Sequence, residues 1–148
     1  MSLIAAPAYP NWLNSGAELA TIRATNVRIG NATAGALQTG AWIPVATFAP
    51  GSLTLFANGI TQTGAINLGT STSDLLIRGD GDVVLDTDNV FAIVAASKSA
   101  GSLSITNVAT NPLTVGSVTD DVGTVSGVTA PGGGSLTASG AGGLLSVY

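Results

Sequence analysis

Apolar and polar residues alternate in short bursts along this chain, and each burst closes at Gly, Asn or Asp. Ser52-Leu53-Thr54-Leu55-Phe56-Ala57 ends at Asn58-Gly59, and Leu75-Leu76-Ile77-Arg78 ends at Gly79-Asp80-Gly81. Val83-Val84-Leu85-Asp86 breaks at Asp88-Asn89, after which Val90 to Ala95 follows. The same texture is present earlier, in Ala17 to Ala24 and Asn26 to Gly30, where Leu19, Val27 and Ile29 are the candidate inward positions. It continues in Ile60 to Gly64, Ala65 to Gly69, Gly101 to Thr106, Leu113 to Val118 and Val122 to Val128. A period of two places alternate side chains on opposite faces of a strand, and the spacing of a helix face is hard to find anywhere. The pattern predicts an all-β chain.

The strands it predicts are short, mostly three to five residues. Hairpins of such strands bury little, whereas three of them coiled into a rung of roughly twenty residues stack on further rungs and bury a continuous Leu/Ile/Val/Ala core. Asn-Gly and Asp-Gly, the favoured hairpin dipeptides, occur only at Asn58-Gly59 and Asp80-Gly81. A Gly-Ser-Leu unit recurs at Gly51, Gly101 and Gly134 with no single period. The expected fold is therefore a right-handed parallel β-helix, a β-solenoid, with a β-sandwich or jelly roll as the alternative.

Composition fits that architecture. The 148 residues are 45% hydrophobic and 8% charged, with 20 Gly and 6 Pro, enough for one domain with one core. Residues 51–148 are expected to form solenoid rungs. Residues 1–50, where Trp12, Trp42, Pro44 and Pro50 interrupt the pattern, are expected to form an N-terminal cap or lateral region with the first strands. Pro7 and Pro10 beside Trp12 cannot donate to a ladder, which suits a cap, while the final Leu144 to Tyr148 strand reads as open. The N-terminus lacks the basic start and apolar stretch of a signal peptide, and the longest strongly apolar run, Val90 to Ala96, is far too short to span a membrane.

The chain has no His and no Cys, which removes the usual general base, thiol nucleophiles, disulfides and the commonest metal ligands. An enzyme is not expected. The net charge of −4 and the scattered cations Arg23, Arg28, Arg78 and Lys98 offer no footprint for nucleic acid.

Arg78-Gly79-Asp80 matches an integrin-binding tripeptide and is the one candidate adhesion site. Asp80, Asp82, Asp86 and Asp88 crowd into nine positions, but Val84 and the absence of a closing Glu break the calcium-loop pattern, so a solvated turn is expected. With Asp120 and Asp121 these carboxylates lack the aromatic platforms of a glycan-cleaving site. Thr61-Gln62-Thr63 and Thr70-Ser71-Thr72 do not form the regular Thr-x-Thr rows of an ice-binding surface. No cofactor and no metal are expected.

Gly51 through Gly69, Ala100 through Asn107, Leu113 through Val118, Val125 through Thr129 and Gly134 through Gly140 resemble the β-helical repeats of filamentous haemagglutinin-type exoproteins, the large adhesins of two-partner secretion. The resemblance covers roughly residues 51 to 145 and lacks the family's secretion-domain motif. It implies an internal segment of a stiff shaft, secreted or at a cell surface, whose partner is a host or cell-surface receptor. Some adhesins of that family carry an Arg-Gly-Asp tripeptide. The open terminal rung raises a second expectation, end-to-end self-association as a fibre or phage surface subunit. A carbohydrate-active β-helix is the least supported.

Overall fold

The computed structural model describes residues 2–3, 24–41, 51–68, 73–108, 112–140 and 143–147. Along the described chain the strands are β1 (Ser2–Leu3), β2 (Asn26–Gly30), β3 (Leu37–Thr39), β4 (Ser52–Phe56) and β5 (Ile60–Gln62). They continue as β6 (Asp74–Gly79), β7 (Val83–Asn89), β8 (Ile93–Lys98), β9 (Leu103–Asn107) and β10 (Leu113–Val115). The last are β11 (Ser117–Thr119), β12 (Thr124–Ser126), β13 (Val128–Thr129), β14 (Gly134–Ala138) and β15 (Leu145–Val147). No helix occurs among the described residues.

These strands coil into a β-solenoid. One ladder runs β1-β2-β4-β6-β8-β10-β15 and a second runs β3-β5-β7-β9-β14, and every pairing in both is parallel. From β2 to β10 consecutive strands alternate between the two ladders, which excludes the antiparallel sandwich. In the first ladder Val27, Leu53, Leu75, Val94 and Val115 lie in register, and in the second Leu37, Ile60, Val83 and Leu103 do. The first-ladder strands fall into place because their even-numbered and odd-numbered positions differ in polarity. Odd positions of β2, β4 and β6 point inward, so Ile29, Leu55 and Ile77 form a second core row with exposures of 2% or less. Each fully buried Leu or Ile contributes about 2 kcal/mol of transfer free energy. A short third side closes the coil where Asn67 bridges Val90, with Leu68 N donating to the Val90 carbonyl and Val90 N to the Ile66 carbonyl.

The sequence pattern ends a strand before Asp88-Asn89, yet β7 runs through to Asn89. A register shift between Leu85 and Asn89 turns the Asn89 side chain inward, where it is fully buried. Its Nδ2 meets the carbonyls of Leu85, Thr87 and Thr106 and Gln62 Oε1 at 2.8 to 3.0 Å, and its Oδ1 accepts from Ile66 N and Gln62 Nε2. One amide thus ties together three successive coils. The bulge supplies a residue whose bonds replace those the ladder gives up.

The outward row through Thr61 reads Gln38, Thr61, Val84, Ser104 and Ser135, with no second Thr. Thr70-Ser71-Thr72, Trp12, Trp42, Pro44, Pro50 and Arg23 lie outside the described residues.

Glycines stack at the corner between the two ladders. Gly81 (φ 69°) and Gly101 (φ 78°) occupy successive coils, and a Cβ on Gly101 would stand 2.2 Å from the Gly81 carbonyl oxygen. Any side chain there forces neighbouring coils apart. Gly101→Ala is expected to cost about 3 kcal/mol in urea unfolding, from overpacking plus a strained φ. Gly127→Ala, at φ 77° but with open space around its Cβ position, should cost only about 1 kcal/mol. Equal losses at the two positions would contradict the close stacking of coils.

Candidate functional site: a hairpin clasped over the first ladder

One coil of the solenoid carries an insertion. Thr114 and Val115 of β10 stack on Ile93 and Val94, and Val128 and Thr129 of β13 stack on Ala96 and Ser97, so β10 and β13 are two halves of one rung. Between them the chain leaves at Gly116 and returns at Gly127, whose amide donates to the Gly116 carbonyl at 2.8 Å. The excursion is an antiparallel hairpin, β11 with β12, in the register Ser117↔Ser126, Val118↔Val125 and Thr119↔Thr124.

Its sequence explains its conformation. Ser-Val-Thr and Thr-Val-Ser mirror each other about Asp120-Asp121-Val122-Gly123, so one face carries hydroxyls and the other carries Val. On the outer face the Ser117 and Ser126 hydroxyls pair at 2.7 Å, as do those of Thr119 and Thr124. Val118, only 2% exposed, packs with Leu76 and Ala95 on the outside of the first ladder, with Ile93 and Val125 beside them. Leu76 and Ala95 are adjacent members of the outward row Arg28, Thr54, Leu76, Ala95. The hairpin covers apolar groups that a solenoid strand would otherwise turn to water.

Two ion pairs fasten its tip. Arg78 donates to both Asp120 carboxylate oxygens at 2.9 Å and to the Gly123 carbonyl at 2.8 Å. Asp120 also accepts from the amides of Val122 and Gly123, and its side chain is 3% exposed. Arg28 meets Asp121 at 2.9 Å in a more exposed pair. The hairpin thus reaches from the β13 rung back to β6 and β2. A cleft of about 270 Å³ lies between its tip and the sheet, lined by Asn26, Val27, Arg28, Thr54, Asp120 and Asp121.

The Arg78-Gly79-Asp80 tripeptide contributes its arginine to this clasp. Arg78 is outward on β6 with its guanidinium held by Asp120, and a receptor carboxylate would have to compete with that bidentate pair. Gly79 has φ 108°, with the space of its missing Cβ taken by the Ala57 carbonyl. Asp80 is exposed and accepts a hydrogen bond from the Ser99 hydroxyl. Beside them a corner groove of about 530 Å³ is lined in part by Thr33, Phe56, Asn58, Asp80 and Ser99. Lys98, 4% exposed, donates its ammonium to the Gly81 carbonyl, and burial lowers its pKa against the opposing pull of Asp82 and Asp80. Arg28, Arg78 and Lys98, the described cations, are all engaged internally.

The acidic cluster lies along one coil, on β7 and in the corner before it. Asp82 accepts from Ser102 N and Oγ at 2.8 Å, bonds that hold its carboxyl below the usual range, and Asp86 accepts from Ser104 Oγ at 2.6 Å. Asp82 and Asp86 are thereby linked to the coil above them. Among the described residues no three carboxylates converge as a metal site. Asp120 and Asp121 have the largest structural part in the clasp, and the sequence does not mark it, because the Ser-Val-Thr and Thr-Val-Ser triplets between Gly116 and Gly127 alternate as rung strands do.

Two carboxyls give opposite pH signatures. Burial pushes Asp120 up, but the Arg78 hydrogen bonds and charge and the tip amides outweigh it, leaving the carboxyl depressed. Its stabilisation is present above the unfolded value near 4 and is lost as pH falls through the lower folded value. Asp74, outward on β6 between Ser52 and Ile93, is raised by burial to about 6. It takes up protons on folding, so stability declines as pH rises from about 4 to 6. Thermal melts should show Asp74→Asn removing that decline and gaining about 1 kcal/mol at pH 7, a value discounted for the solvent exposure of this group. Asp120→Ala should lose about 3 kcal/mol at pH 7 and little at pH 2. A loss at pH 7 no greater than at pH 2 would refute the clasp.

Comparison with known protein families, with curated proteins and with solved structures finds no match for the chain.

Proposed function

We propose that this chain is a structural and adhesive segment of a secreted bacterial surface protein, forming a stiff β-helical shaft of the filamentous haemagglutinin type. The observation that carries the reading is where the charged groups go. Arg28, Arg78, Lys98, Asp82 and Asp86 each bond to another coil or to the hairpin lying across the coils, so sparse charge is used to lock rungs together. Among the described residues most of what remains exposed is Ser, Thr, Gly and Asn, and the strands carrying it are hydrogen-bonded into the ladders, which slows local opening to proteases. The same engagement of Asp80, Asp82, Asp86 and Asp120 favours a framework over a glycan-cleaving site, where two carboxylates must stay available to one bond. Adhesion through Asp80 and the corner groove belongs to the same reading, with Arg78 as the residue that fixes the groove wall rather than the one offered to a receptor.

Proteinase K provides the test. At neutral pH and 25 °C the shaft reading predicts a resistant fragment containing the strands from Asn26 to Ala138 after hours of digestion. Conversion of that region to small peptides within minutes would contradict it.

A further inference from the structure

The hairpin of β11 and β12 interrupts a rung that is complete without it. Val115 lies opposite Val94 and Val128 opposite Ala96, so a single rung position, the one facing Ala95, separates Val115 from Val128. Two glycines share that position. Gly116 supplies its amide, which donates to the Val94 carbonyl at 3.2 Å, and Gly127 supplies its carbonyl, which accepts from Ala96 N at 2.9 Å. Residues 117–127 are therefore extra to the ladder. Removing them joins Gly116 to Val128 and keeps Val115 opposite Val94 and Val128 opposite Ala96.

What holds the hairpin down is also separate from what holds the coils together. Val118 packs with Leu76 and Ala95 in a cluster of its own, with Ile93 and Val125 at its margin, and none of these five belongs to the cluster inside the coils. The charges divide in the same way. Both carboxylates, Asp120 and Asp121, are on the hairpin, and both guanidinium groups, Arg78 and Arg28, are on the coils. A Cβ at Gly127 or Gly123 would meet open space, so neither base nor tip is wedged by neighbouring groups. A lone two-stranded hairpin is marginal in water, so this one takes its shape from the face beneath it, while that face is built by the ladder.

We infer that the hairpin is a removable strap, and that the strip it covers, formed by Leu76, Ala95, Arg78 and Arg28, is a binding site for an acidic segment of the hairpin's own form. Such a segment carries two adjacent carboxylates at a tight turn and a β-branched apolar side chain two residues before them, as Val118 stands to Asp120 and Asp121. The strip is positioned by stacked coils whether or not the strap is down, so binding it costs little reorganisation. Lifting the strap turns Leu76 and Ala95 to water and takes the carboxylates away from both arginines, which leaves a surface complementary to the same chemistry in trans. The nearest source is the hairpin of a second copy. The inference rests on the rung geometry and not on the adhesive reading.

Two experiments separate the strap from the site. A chain lacking residues 117–127 should keep the far-UV spectrum of the parent and bind a fluorescent cyclised peptide of residues 116–127 saturably. The full chain, whose own hairpin fills the strip, should bind that peptide at least about tenfold more weakly, and Asp120→Asn in the peptide should weaken binding to the shortened chain at least about tenfold. In the full chain Asp120→Asn should speed hydrogen exchange at Val118 and Val125 at least about tenfold and leave the ladder amides of β4 and β6 unchanged. A folded shortened chain that ignores the peptide, equal binding by both chains, or indifference to Asp120→Asn in the peptide would overturn the site. A shortened chain that does not fold, or exchange that is unchanged at the hairpin or rises together in hairpin and ladders, would overturn the strap.

Discussion

Parallel stacking of coils about 4.8 Å apart is the constraint on which the rest of this structure depends. A backbone amide in one rung donates to the rung beside it, so a strand too short to survive in a hairpin is held along both edges. That spacing decides composition. Corners admit Gly because the carbonyl of the adjacent coil occupies the place of a side chain, as at Gly101 over Gly81. Inward rows must be aliphatic and matched in size from coil to coil, as Leu53, Leu75 and Val94 are. A polar group inside the stack is tolerated only when several coils satisfy it at once, which Asn89 achieves through Gln62, Ile66 and Thr106.

The hairpin between Gly116 and Gly127 changes what the first ladder presents. A solenoid sheet of this kind turns one face to solvent, and Leu76 and Ala95 would be an apolar flaw on it. Val118 and Val125 cover the flaw, and Asp120 and Asp121 anchor the cover to Arg78 and Arg28. Because those arginines belong to β6 and β2, the clasp connects coils distant along the axis and adds resistance to splaying that the ladders alone lack. Its dependence on the Arg78–Asp120 pair makes it sensitive to acid.

The solenoid was legible in the sequence because strand alternation and Gly-terminated bursts survive in nearly every coil. The hairpin was not, since Ser117-Val118-Thr119 and Thr124-Val125-Ser126 alternate as rung strands do, and only their antiparallel pairing distinguishes them. Asn89 read as a turn residue because polar residues inside a strand ordinarily mark its end; its inward bonds depend on Gln62 and Thr106, which are far away in sequence. Arg78 drew notice as part of a tripeptide, while its partner Asp120, 42 residues on, could be found only in three dimensions.

The central claim is that residues about twenty apart in sequence lie side by side and run in the same direction. Nuclear Overhauser contacts in the labelled protein test it directly. Parallel-ladder contacts are predicted between Leu53 and Leu75 and between Leu75 and Val94, together with antiparallel α-proton contacts, among the described residues, only within the hairpin, at Ser117 with Ser126 and Thr119 with Thr124. Antiparallel α-proton contacts linking β4 with β5, or β6 with β7, would contradict it.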